Sequence, residues 1–113
     1  MSRRDDDLLV NDILECCHSI FTYTKGMSYE DFCNSKITID AVIRNFEIIG
    51  EAAKMISGKL KTSYPLIEFS LMTDFRNLLI HEYFGVDHEK VWGIINNELP
   101  YNYTLLKRID FVS

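Results

Sequence analysis

Thr38-Ile39-Asp40-Ala41-Val42-Ile43-Arg44-Asn45-Phe46-Glu47-Ile48-Ile49-Gly50-Glu51-Ala52-Ala53-Lys54-Met55-Ile56-Ser57-Gly58-Lys59-Leu60 decides the fold. Ile39, Val42, Ile43, Phe46, Ile49, Ala53 and Ile56 return every three or four residues, while Arg44, Glu47, Glu51 and Lys54 take the other side. That is the period of an amphipathic helix, and it predicts one long helix from Thr38 to Leu60. Gly50 in its interior costs about 1 kcal/mol of helix propensity relative to Ala. A glycine kept there at that cost marks the place where we expect another helix to press close.

The same period extends outward. Leu9, Ile13, Cys16, Cys17, Ile20 and Phe21 form a broad stripe that predicts a first helix from about Asp6 to Tyr23. Lys25-Gly26 closes it, because glycine tolerates the left-handed cap conformation. Ser28 is the expected N-cap of a short turn of helix, Tyr29 to Cys33. After the break at Ser63-Tyr64-Pro65, another helix is expected from about Ile67 to Phe84, stopping at Gly85. Asp87 caps a helix from His88 to Asn97 that carries Val91, Trp92 and Ile95, and Pro100 can open a last helix running towards Ile109. No segment alternates long enough to argue a strand, and no repeat or low-complexity tract is visible. These elements predict an all-α fold, an antiparallel helical bundle of four main helices plus short extra helices, as one domain over residues 1–113.

Composition bounds the function. A chain of 113 residues, 47% hydrophobic, with Pro 2 and Gly 5, suits one modest globular core with little linker. No run of about 18 apolar residues could span a membrane. Arg3 and Arg4 are not followed by an apolar signal-peptide stretch, so we expect a cytoplasmic protein with no membrane role. Cys16 and Cys17 are adjacent, a spacing that suits neither zinc nor a redox pair, and both read as small core residues; Cys33 is alone, so no disulfide is expected. A formal net charge of −5 argues against a general RNA-binding surface, which works through excess basic charge, more than against a narrow active site.

Chemistry concentrates in Asp74-Phe75-Arg76-Asn77-Leu78-Leu79-Ile80-His81-Glu82-Tyr83-Phe84-Gly85-Val86-Asp87. A guanidinium, an amide, an imidazole and a phenol stand among Leu, Ile and Phe, and polar groups in such company must be paired or functional. His81 can exchange a proton near neutral pH. Arg76 can grip a phosphate and stabilise its transition-state charge, Asn77 can orient either, and Tyr83 can stack on a base or present a modifiable hydroxyl. Asn77 and His81, four apart, share a helix face. Arg76 and His81, five apart, diverge by about 140°, so a twofold dimer in which each chain completes a shared cleft would bring such groups together. The blander readings are a structural histidine, an Arg76 paired with Asp74 or Glu82 at the surface, and Tyr83 and Phe84 as packing aromatics.

The wider pattern sharpens this reading. Arg76-Asn77-x3-His81-Glu82-Tyr83-Phe84-x-Val86-Asp87 followed by Val91-Trp92 resembles the HepT-like branch of the HEPN superfamily. So do Asp40 to Asn45, Ile48 to Lys54, Asp12-Ile13-Leu14 and Tyr23 to Gly26, which together cover almost the entire chain. The resemblance implies a HEPN-like bundle that forms a homodimer, and a metal-independent endoribonuclease that needs no cofactor and acts as the toxin of a type VII toxin–antitoxin pair. It implies Arg76 and His81 as the catalytic pair, with Asn77 in support. Its partner would be a minimal, MntA-like nucleotidyltransferase antitoxin that transfers AMP to Tyr83. Glu51 matches a family position and can pair with Arg76 across the bundle; a solvated helical charge is the alternative, and by the residues alone the default. The chain departs from the family at Glu68-Phe69, where many members carry Pro-Trp. Phe69 keeps an aromatic anchor. His18 and His88 lack ligand-like spacing, so no metal site is expected. Lys107 and Arg108 read as a solvated helix end that favours the dipole. The alternative function is a non-catalytic helical subunit that binds substrate or nucleotide for a nucleotidyltransferase, and a plain dimerisation module stands behind it.

Overall fold

The computed structural model describes residues 3–80 and 87–111, with side-chain surroundings for residues 5–76 and 87–111. These residues form α1 (Arg3–Thr24), α2 (Tyr29–Cys33), α3 (Lys36–Met55), α4 (Gly58–Ser63), α5 (Phe69–Ile80), α6 (His88–Asn96) and α7 (Glu98–Lys107), and no strand is found among them. The all-α fold expected from periodicity is therefore present.

α3 lies at the centre, packed against α1 on one side and α5 on the other. Its Val42, Phe46, Ile49 and Ala53 are buried, and they meet Val10, Ile13, Cys17 and Ile20 of α1 and Met72 and Phe75 of α5 in one core cluster. Phe46 and Phe75 meet edge to face at 5.0 Å between centroids. Fully burying a side chain of this size contributes roughly 1.5–3 kcal/mol, so this pair anchors α5 on α3. Asp6 near the start of α1 touches Ser57 just beyond the end of α3, so the two long helices run antiparallel.

The ends follow local chemistry. Thr24 closes α1, and Gly26 adopts φ 78°, the left-handed turn expected of it. Ser28 and Asp31 exchange hydrogen bonds in a capping box at the start of α2. Phe32 of α2 is fully buried and lies 5.1 Å from Trp92, which joins α2 to α6. Asp87 accepts from the Lys90 amide and caps α6. α7 packs on α1, with Phe21 and Tyr103 edge to face at 5.4 Å.

α1 and α3 begin at Arg3 and Lys36, a few residues earlier than expected, and three further boundaries depart for reasons the packing supplies. The helix predicted to reach Leu60 breaks after Met55. Ile56 turns extended, with φ −59° and ψ 138°, and Ser57 caps a separate α4. The cause lies elsewhere in the chain: the Ser57 amide and hydroxyl both donate to the buried carboxylate of Asp6. A buried carboxylate is costly unless hydrogen-bonded, and Ile56 gains burial at 4% exposure from the same turn. α5 begins at Phe69, two residues later than expected, because Asn102 of α7 fixes its start. The Asn102 side-chain oxygen accepts from the Glu68 amide at 2.8 Å, and its nitrogen donates to the Glu68 carboxylate at 3.0 Å. α7 begins at Glu98, which places Pro100 in its first turn, where a missing amide donor costs little. The expected run of α5 to Phe84 and its stop at Gly85 lie outside the described residues beyond Ile80. No helix among the described residues is long and apolar enough to cross a membrane.

Candidate active site on α5

The site is built where α5 crosses α3. Met72 and Phe75 turn into the core, at 0% and 1% exposure. Arg76 stands about 40° around the helix from Met72, at the margin between the α3 contact and solvent. Gly50 is what lets α3 come so close. A β-carbon built on Gly50 would lie 3.1 Å from the Arg76 β-carbon and 3.3 Å from both the Arg76 amide nitrogen and the Met72 carbonyl oxygen. The close approach expected at Gly50 is thus made, and its partner is the backbone that carries Arg76.

One residue further on α3, the Glu51 carboxylate accepts a hydrogen bond from Nη1 of Arg76 and forms an ion pair with it. Both side chains remain about half exposed, at 47% for Arg76 and 52% for Glu51. Glu51 therefore pairs with Arg76 across the bundle, against the default of a merely solvated helical charge, although both side chains stay partly exposed. The described partner of Arg76 is Glu51 and not Asp74; Glu82 lies outside the described residues. Ile48 and Met55, three residues before Glu51 and four after it, are 39% and 52% exposed, so the ion pair is bordered by apolar surface on α3.

Asn77 follows Arg76 on α5 and is placed by its backbone. His81 and Tyr83 lie outside the described residues. Of the expected site residues, the structure brings Arg76 and Glu51 into contact.

Other reactive groups are accounted for by packing. Burial pushes the Cys16 thiol up to about 11, helped by the carboxylates of Asp12 and Glu15, and pushes Cys17 up to about 12, with Cys16 adding to the effect. Both are inert core residues. Lys107 sits 5.2 Å over the Tyr103 ring, which gives that helix-end charge a local partner. His88 opens α6 edge-on to Phe32. Among the described residues no group of three or more His, Cys, Asp or Glu is gathered as a metal would need. Asn102 is the positioning residue that sequence reasoning missed. Its one signal was an amide on the same stripe as Leu99 and Leu106, all three at 0–1% exposure.

The family model described as Ribonuclease HepT-like matches residues 13–109. The chain is 39% identical over 100 residues to the Methanocaldococcus jannaschii protein named "Putative RNase MJ1380", covering 88% of this chain and 92% of that one. It is 43% identical over 100 residues to "Putative RNase MJ1216" of the same organism, covering 88% and 83%. Identity is 41% over 100 residues to "Probable ribonuclease HepT" of Thermococcus cleftensis, covering 88% and 90%. No solved structure matches.

Proposed function

The chain belongs to the HepT-like ribonuclease family, and from that premise we propose that it is a metal-independent RNA endonuclease, the toxin of a toxin–antitoxin pair in the cytoplasm. Arg76 and His81 carry the reaction. His81 takes the proton of a ribose 2′-hydroxyl or returns one to the leaving oxygen, and Arg76 holds the scissile phosphate and offsets the charge that builds on it. Asn77 orients one or the other by hydrogen bonding.

The observation that carries this reading is the setting of Arg76. Its backbone lies so close to Gly50 that a β-carbon there would come within 3.3 Å of its amide nitrogen, yet its side chain remains about half exposed. A rigid base with an accessible cationic tip is what phosphate recognition requires.

The enzyme acts as a homodimer. The five-residue spacing of Arg76 and His81, about 140° by the helical period, favours a cleft shared by two chains, and the exposed Ile48 and Met55 beside Glu51 offer apolar surface for such a contact. Tyr83 is the acceptor of AMP from a nucleotidyltransferase antitoxin. An AMP group two residues from His81 adds bulk and negative charge where RNA must enter. The test is RNA cleavage before and after treatment with the transferase and ATP. The expected result is loss of cleavage as AMP appears on Tyr83, with Tyr83→Phe escaping inhibition; equal cleavage by modified and unmodified protein contradicts it.

A further inference from the structure

Glu51 presents a chemical puzzle for a ribonuclease. A carboxylate beside the phosphate-binding arginine repels RNA, and an exposed ion pair adds little stability to the fold. Neither effect accounts for its placement.

The geometry of the contact suggests what does. Glu51 engages Nη1 of Arg76. A guanidinium is a planar fork of five N–H donors, and a carboxylate held at Nη1 leaves the Nε–Nη2 edge to form two parallel hydrogen bonds with a phosphate. The preceding residue fixes the distance. Gly50 lets α3 lie so near α5 that a β-carbon built on it would come 3.1 Å from the Arg76 β-carbon, so Glu51 meets the guanidinium from a closely packed base. Arg76 is thereby anchored at its root by Gly50 and at its tip by Glu51. A long, rotamer-rich side chain is ordered before substrate arrives, and ordering it in advance removes a cost from the chemical step.

We propose that Glu51 is a positioning residue of the ribonuclease reaction. It sets the Arg76 guanidinium for bidentate capture of the scissile phosphodiester, and it trades some RNA affinity for turnover. This rests on the ribonuclease reading given above. The role predicts opposite movements of the two kinetic constants. Removing the negative charge strengthens RNA binding, whereas removing the hydrogen-bond acceptor slows the reaction. Glu51→Ala does both; Glu51→Gln does only the first, because its amide oxygen still accepts from Nη1.

The experiment is steady-state cleavage of a short RNA in EDTA by wild type, Glu51→Ala and Glu51→Gln, with thermal melts of all three. Both variants should lower KM. Glu51→Ala should lose on the order of tenfold in kcat, and Glu51→Gln should recover most of that loss. A Glu51→Ala variant whose kcat matches or exceeds wild type overturns the proposal, as does a Glu51→Gln variant as slow as the alanine form. Wild-type protein that cuts no RNA overturns the ribonuclease reading and this role with it; wild type that cuts beside an equally fast Glu51→Ala overturns this role alone. Because Glu51 is half exposed, the melts should agree closely, and if the alanine form does not fold, Glu51→Ser, whose hydroxyl is too short to reach Nη1, takes its place: a kcat equal to wild type overturns the role.

Discussion

Gly50 sits within 3.3 Å, measured from a built β-carbon, of two backbone atoms of α5 that cannot swing aside. Alanine there would gain about 1 kcal/mol of helix propensity, but overpacking against rigid neighbours costs roughly 1–3 kcal/mol. Gly50→Ala is therefore expected to lower the denaturation midpoint and displace Arg76, with cleavage falling further than stability; a variant more stable than wild type would show that α5 gives way freely. The glycine was legible in the sequence because its cost inside a strong helical pattern demanded a reason. The Glu51–Arg76 contact was less so: periodicity placed Glu51 on a polar face, and polar faces are ordinarily solvated. Cysteine chemistry offers a second test at this scale. Cys16 and Cys17 are buried and Cys33 is partly exposed, so a thiol reagent at pH 8 should label Cys33 alone in native protein and all three in denaturant. The folded thiols of Cys16 and Cys17 keep their protons up to about 11 and about 12, against 9.0 when unperturbed. Above pH 9 unfolding releases protons, so this contribution to stability is full below that value and declines as pH rises through the folded values. The urea midpoint should fall between pH 8 and pH 10.5, and a flat profile would contradict the assignment.

Two ties between distant elements govern where helices begin and end. Asp6 on α1 fixes the α3–α4 break through Ser57, and Asn102 on α7 fixes the start of α5 through Glu68. Asn102→Ala leaves the Glu68 amide without its partner in a part-buried setting, at a cost of about 1–3 kcal/mol. Because that amide opens the helix that carries Arg76, the same variant should lower RNA cleavage; unchanged urea unfolding would show that water replaces the cap without loss. Neither tie could be read from the sequence. Local pattern reports which residues within one helix share a face, and Ile56 to Leu60 continue the apolar period without interruption. What breaks the helix is the Ser57 cap on the Leu60 amide together with a carboxylate fifty-one residues away; the continuing period masked the first, and one-dimensional periodicity carries no term for the second. The caps were readable because they are local: Ser28, Asp87 and Gly26 act within a few residues of themselves, and all three do what their chemistry predicts.

The whole molecule joins a net charge of −5 to an expected anionic substrate. RNA contact must then be confined to a small basic locus, and few counterions are released when it binds. Cleavage should accordingly weaken only modestly between low and physiological salt, whereas a steep dependence would indicate a broad basic groove. Assembly is the second property at this scale. Replacing Ile48 and Met55 together by Asp, on the exposed face beside Glu51, should yield a folded monomer by light scattering and abolish cleavage. Full activity of that monomer would remove the shared-cleft argument. The all-α class and the family were legible because helical period and motif order run through nearly the whole chain. The homodimer was expected from the sequence, but the surface two copies would share was not legible, since an exposed Ile48 and Met55 fit an amphipathic helix equally well with or without a partner. The most direct test of the catalytic assignment is incubation of RNA with purified wild-type protein in excess EDTA, beside folded Arg76→Ala and His81→Ala variants. Cleavage that survives the chelator and disappears in both variants is the expected result. RNA left intact by a dimeric wild type whose Tyr83 carries no AMP would contradict it, and would assign the chain instead to a non-catalytic subunit that positions substrate for a nucleotidyltransferase.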